Sequence, residues 1–139
     1  VEGYTAESFE VDATGPVQVG QYLSSQGCTA DYIGDPALIM AVSSTQYRPN
    51  YVFAVPKDYA EDYVTVVRPV GTPVYLDEVP LAGGDFQPVG SGQFEIGYFE
   101  VGDGPHEIHG DASFGLYQYG FDGPASYGNP GGLNLIQQQ

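Results

Sequence analysis

The chain has 139 residues, 42% of them apolar, with 18 acidic against 3 basic side chains and a formal net charge of −15. This is the size of one domain that carries its own core without metal staples, and 12 Tyr with 7 Phe are too much apolar mass for a solvated acidic tail. So few cations argue against nucleic acid and against an anionic membrane as partners, and the longest apolar run, Ala37 to Val42, is far short of a membrane span. The chain opens at Val1 without Met, basic region or apolar leader, so any signal peptide is expected to have been removed or to lie outside it.

Gly (20) and Pro (11) fall every few residues and leave little room for helices. Ser8 to Asp12 alternates, with Phe9 and Val11 against Glu10 and Asp12, and predicts a first strand ended by Gly15-Pro16. Val17, Val19 and Leu23 share a parity and predict a second. Ala37 to Val42 is continuously apolar, the pattern of a central strand covered on both faces. Tyr51 to Val55 predicts a strand stopped by Pro56, and Pro56 to Asp62 has room for one helical turn. Tyr63 to Val67 predicts a strand. Pro69 to Pro73 turns around Gly71, Val74 and Leu76 face inward, Asp77-Glu78 turns again, and the pair reads as a hairpin. Gly83-Gly84-Asp85 is a loop.

From Gln93 to Val101 the apolar parity changes, with Phe94, Ile96 and Tyr98 followed by Phe99 and Val101, which predicts a bulge beside Gly97. Gly102 to Pro105 is a tight turn, and His106 to His109 leads to another at Gly110-Asp111. Ser113 to Phe121 is a strong strand whose Tyr117, Tyr119 and Phe121 oppose Phe114 and Leu116. Leu133 to Ile136 predicts a last strand before Gln137 to Gln139 fray. Nine or ten short strands in one domain make an all-β protein, a two-sheet antiparallel sandwich or jelly-roll-like barrel.

Chemistry-bearing residues are few. His106 and His109 are the only histidines, and on a strand their odd spacing sends the rings to opposite faces, where one zinc ion cannot hold both. Asp103, Glu107 and Asp111 lie among glycines, yet they lack the alternating spacing of a calcium loop, so solvated acids are the expectation and calcium the exception. Glu61-Asp62 and Asp77-Glu78 are adjacent carboxylates, which diverge on an extended chain. No nucleophile elbow or phosphate-cradling loop occurs, and no Asn-x-Ser/Thr sequon. Cys28, the one cysteine, sits in a loop-like Ser-Ser-Gln-Gly-Cys-Thr-Ala-Asp context with nothing nearby to lower its pKa. In a secreted chain it calls for a partner outside this segment or in another molecule. The tyrosines fall mostly in strand patterns, where they serve half-buried faces, though Tyr also favours recognition surfaces. No catalytic, metal or cofactor residues are therefore assigned, and the binding residues stay open.

Three stretches together resemble a known family: Gly34 to Met40; Tyr47-Arg-Pro-Asn-Tyr-Val-Phe-Ala-Val-Pro56 running on to Asp62-Tyr-Val-Thr-Val-Val67; and His109-Gly-Asp-Ala-Ser-Phe-Gly-Leu-Tyr-Gln-Tyr-Gly-Phe121 followed by Ser126-Tyr-Gly-Asn-Pro-Gly-Gly-Leu133. They resemble the N-terminal domain family of IgGFc-binding protein, whose members include large bacterial surface proteins, and the likeness covers residues 17 to 136. Thr65 to Asp77 is similar to the family's hairpin. The resemblance implies an extracellular, non-enzymatic, β-rich module, without implying IgG binding here. It also implies that the chain begins partway into the family's usual length, with the partner of Cys28 in a preceding portion as one option.

The expectation is then one domain over residues 1–139: an N-terminal strand or arm at 1–16, a family-like core at 17–136 and a frayed tail at 137–139. It is extracellular or on the cell surface, and it works in adhesion or in matrix or surface recognition. The expected partner is an extracellular protein or glycan, or further copies of the chain. The alternative is a subunit of an extracellular filament or surface layer, in which Ser8 to Asp12, preceded by a mobile Val1 to Glu7, adds to a neighbour's sheet edge.

Overall fold

A computed structural model describes residue 3 and residues 5–135. It is all-β and antiparallel, as the sequence predicts, with ten strands: β1 Gly20–Tyr22, β2 Leu38–Met40, β3 Arg48–Val55, β4 Glu61–Pro69, β5 Val74–Leu76, β6 Val79–Pro80, β7 Phe86–Val89, β8 Phe94–Glu100, β9 Gly104–Asp122 and β10 Ala125–Pro130. β1 and β2 form a small sheet of their own, and the other eight strands form one curled sheet. Among the described residues the only helical pieces are single 3-10 turns.

The 19-residue β9 organises the large sheet. Its first half pairs with β3 on one side and with β5, continued by β6, on the other. Its second half pairs with β10 and with β4, which continues through β8 to β7. Between the halves the pairing with β3 jumps, Arg48 standing opposite Phe114 but Asn50 opposite His109. That irregularity lets one strand change direction, and the sheet folds over its own inner face. Tyr51, Phe53 and Val55 of β3, Val64 and Val66 of β4, Val74 of β5, Phe86 of β7, and Ile108, Phe114 and Leu116 of β9 make one buried cluster. The period of two is plain in β3, where Tyr51, Phe53 and Val55 are buried while Val52 is 73% exposed.

Several expected elements differ. Ser8 to Asp12 forms no strand, and Phe9 and Val11 are 54% and 51% exposed; an alternating pattern makes a strand only where an edge accepts it, and none among the described residues does. Ala37 to Val42 contributes only Leu38–Met40, paired with β1 alone, so Ile39 is buried but Leu38 is not. No helical turn follows Pro56, because Asp58 takes φ +77°, outside the right-handed helical region. β4 and β5 do not form the expected hairpin; they lie along the same side of β9, and β5 closes a hairpin with β6 instead. Its two-residue turn, Asp77-Glu78, has φ of +48° and +66°, the left-handed values such a turn requires.

The predicted bulge at Gly97 is absent, since β8 keeps register with β4 from Phe94 to Glu100. Apolar residues occupy both parities of β8 because one face enters the core and the other is partly covered, with Tyr47 against Phe94 and Ser8 against Tyr98. A Cβ at Gly97 would stand 2.7 Å from the Phe99 ring and 3.0 Å from Phe86, so the glycine makes room for two core rings rather than bending the strand. Gly110-Asp111 is no turn but the bent middle of β9. β10 takes the Gly/Pro-rich Ala125–Pro130, where the sequence carries no strand signal. Leu133 to Leu135 form no strand, and Ile136 and Gln137 to Gln139, like Val1, Glu2 and Tyr4, lie outside the described residues.

Candidate binding surface

The second half of the large sheet has an aromatic outer face. Residues of one parity on β4 and β9, Val64, Val66 and Leu116, enter the core; those of the other parity, Tyr63, Thr65, Tyr117, Tyr119 and Phe121, face outward together with Phe94, Ile96 and Tyr98 of β8. Aromatic contacts across and along the strands lock this face. Tyr63 stacks on Tyr119 at 5.6 Å, Tyr119 meets Phe121 edge-on at 5.8 Å, and Tyr47 meets Phe94 edge-on at 6.2 Å. Gly115 leaves space for the Tyr47 ring, which would stand 2.5 Å from a Cβ there. Burial pushes the phenols of Tyr47 and Tyr119 above the ordinary tyrosine value, so they stay neutral hydrogen-bonding groups.

The small sheet and the N-terminal arm cover this face incompletely. The Val42 N–H donates to the Tyr117 hydroxyl at 3.0 Å, and Ile39 packs against Gly128 of β10. The arm is held by polar contacts: Ser8 Oγ lies 2.7 Å from the Tyr98 hydroxyl, and the Ser91 N–H donates to Glu10 Oε2 at 2.6 Å. Between arm and sheet is a cleft of about 520 Å³, lined by Phe9, Val11, Val19, Phe94, Ile96, Tyr98, Tyr117 and Tyr119 among others. Its chemistry suits an apolar or aromatic group with hydroxyls at hand for hydrogen bonds. The sequence marks these tyrosines mostly as strand residues and sets Tyr117, Tyr119 and Phe121 on one side of their strand; that Tyr63 and Tyr98 join them follows from register, which one strand alone does not reveal.

His106 and His109 fall on opposite faces of β9, as their spacing predicts. His106 stacks on Phe53 at 5.4 Å, and its ring nitrogens lie 2.6 Å from Asp77 Oδ2 and 2.7 Å from the Gly102 carbonyl. Both partners are acceptors, so the arrangement is complete only when both ring nitrogens carry protons. Asp77 also accepts from the Glu107 N–H at 3.0 Å. His109 stacks on Tyr75 at 5.0 Å and stands 3.7 Å from Glu78. Burial pulls the His106 pKa down, but the Asp77 and Gly102 hydrogen bonds outweigh it, and the net shift is upward from 6.5. Asp77 is lowered from 3.8, chiefly by the His106 hydrogen bond.

Each shift fixes a pH dependence. The raised histidine adds stability that is fully present below pH 6.5 and is lost as pH rises through its folded pKa. The lowered aspartate adds stability that is present above pH 3.8 and is lost as pH falls through its own. Urea midpoints are therefore expected to decline as pH rises from 6.5, and this decline is expected to vanish in His106→Gln. An NMR titration placing the His106 midpoint at or below 6.5 would contradict the clamp.

The other acids separate. Asp62 is buried and accepts from the Tyr127 hydroxyl at 2.7 Å, whereas Glu61 accepts from Tyr63 at 3.1 Å. Burial, then the Asp62 hydrogen bond, raise the Tyr127 pKa. Asp103, Glu107 and Asp111 are exposed, and among the described residues no three His, Cys, Asp or Glu side chains gather where a metal ion could be held. Cys28 ends an exposed 3-10 turn, away from the core as expected.

A family model described as IgGFc binding protein matches residues 1–120. The matched stretch takes in the arm, which lies before the 17–136 of the resemblance, and ends close to the end of β9, before β10. Neither a curated protein nor a solved structure matches the chain.

Proposed function

The chain belongs to the IgGFc binding protein family, and on that premise we propose that it is an extracellular, non-enzymatic module that binds a protein partner in adhesion or matrix recognition. The family match carries this reading. The aromatic cleft supports it physically, because tyrosines give contact area at low entropy cost and bring their own hydrogen-bonding groups. No helix among the described residues is long and apolar enough to cross a membrane. The reading needs no cofactor. Its partners are extracellular proteins, or glycans carried on them, in preference to nucleic acid or anionic lipid, which a charge of −15 repels.

The test is a binding screen against immobilised matrix proteins, mucins and immunoglobulin Fc, with Tyr98→Ala beside the intact protein. Tyr98 is 55% exposed, so its truncation leaves the core intact. A roughly tenfold loss of affinity is expected for the variant, the size of an ordinary interface hot spot. Equal binding by the variant would take the cleft out of the interface, and a screen without any binder would remove the reading.

A second reading, a subunit of an extracellular filament or surface layer, is favoured by one observation. Ser8 to Asp12 carries a strand pattern but, among the described residues, pairs with no strand of its own chain.

A further inference from the structure

β3 pairs with β9 along one side only, and among the described residues no other backbone segment bonds to residues 49–55. Such an edge turns the N–H and C=O of alternate residues outward, unpaired. Natural edges are usually blunted by charge. This one reads Pro49-Asn-Tyr-Val-Phe-Ala-Val-Pro56, eight residues without a charge. Its flanks carry Arg48 and Lys57, both exposed, while the chain's third cation, Arg68, is buried. In a molecule of charge −15, the one Lys/Arg-bearing stretch of surface therefore frames an open, uncharged strand edge.

The complement is the arm. From Ser8 to Asp12 the acids Glu10 and Asp12 alternate with Phe9 and Val11, while Glu7 at the start shares the parity of the two apolar residues; among the described residues the segment forms no backbone ladder, and it is tethered through the side chains of Ser8 and Glu10. We propose that this segment of one copy adds as an antiparallel strand to the β3 edge of the next copy. The proposal rests on the filament reading and names its interface. With Phe9 opposite Phe53 and Val11 opposite Tyr51, the two apolar residues extend the core face of β3. The same register sets Glu7 opposite Val55 and Asp12 opposite Asn50, each two residues from a cation. Arm and edge are different surfaces, so the contact is head to tail and propagates into open chains unless the rotation closes.

Sedimentation and electron microscopy on the full chain test this, with Arg48→Glu/Lys57→Glu and Glu7→Lys/Asp12→Lys beside the unaltered protein. Circular dichroism checks that each variant folds, and Lys57→Glu alone, outside β3, serves if the double edge variant does not. The unaltered chain is expected to form linear assemblies. Each charge-reversed variant alone is expected to need at least a tenfold higher concentration. An equimolar mixture of the two double variants is expected to recover assembly, because every arm then meets an edge of opposite charge. If the variants assemble as readily as the unaltered chain, the filament reading stands and this interface is wrong. If the unaltered chain stays monomeric and a labelled synthetic peptide of residues 5–14 does not bind it, both fall. A peptide that binds the unaltered chain but not the Arg48→Glu/Lys57→Glu variant upholds the interface even where assembly is weak.

Discussion

Phe114→Ala is expected to lower the unfolding free energy by about 3–5 kcal/mol, the usual cost of emptying a core phenyl site. The side chain is fully buried and meets Tyr51 edge-on at 5.1 Å. Tyr51 in turn donates its hydroxyl to the Phe114 carbonyl and accepts the Arg48 N–H. These contacts sit where the pairing of β9 with β3 jumps, so the ring fills the corner on which the sheet turns. Against a total stability of about 5–15 kcal/mol for a domain, the loss is large. Urea denaturation should show a lower midpoint at unchanged slope. Val52→Ala, on the solvent side of β3, should stay within about 0.5 kcal/mol of the parent. A cost below about 1 kcal/mol at Phe114 would mean that the corner collapses around the smaller residue, and that the bend does not depend on the ring.

What the sequence made legible is the parity of the long strands. Tyr51 to Val55, Tyr63 to Val67 and Ser113 to Phe121 stand where their patterns place them, and Phe114 and Leu116 oppose Tyr117 and Tyr119. The rest was hidden because pairing is non-local. Ser8 to Asp12 alternates as a half-buried strand does and Tyr51 to Val55 is apolar throughout, so each reads as a strand, but only the second has β9 to pair with. The Gly-Asn-Pro of β10 reads as loop, yet β9 supplies a ladder that orders it. A change of parity at Gly97 reads equally as a bulge or as a strand with two covered faces, and only the neighbours decide. For the binding surface, composition gave the tyrosines but not their convergence. It placed Asp77 in a turn but gave no sign of its partner His106, 29 residues later.

Register also explains a charge inside the protein and sets the last expected effect. Arg68 of β4 and Glu95 of β8 stand directly opposite one another, on the parity that faces the core. Arg68 Nε donates to Glu95 Oε1 at 2.8 Å, the Gly71 N–H donates to the same oxygen at 3.1 Å, and the guanidinium lies 3.4 Å from the Phe86 ring centroid. The two side chains are 4% and 11% exposed. In water such a pair would contribute little, but here each charge has given up its hydration and depends on the other. Glu95→Ala should thus cost about 3–5 kcal/mol, since it strands Arg68 without an anion and the Gly71 N–H without an acceptor. Arg68→Met should cost less, because Glu95 keeps Gly71 and the Met stem still covers Phe86. Arg68→Met/Glu95→Leu should recover much of the loss, because neither charge remains to be desolvated. A denaturant double-mutant cycle measures this as a coupling of about 2 kcal/mol or more between neighbours. Salt should barely change it, as a buried pair is poorly screened. Additive single-mutant losses, or a coupling that fades in high salt, would show that water reaches the pair and that the turn around Gly71 is held by its backbone alone.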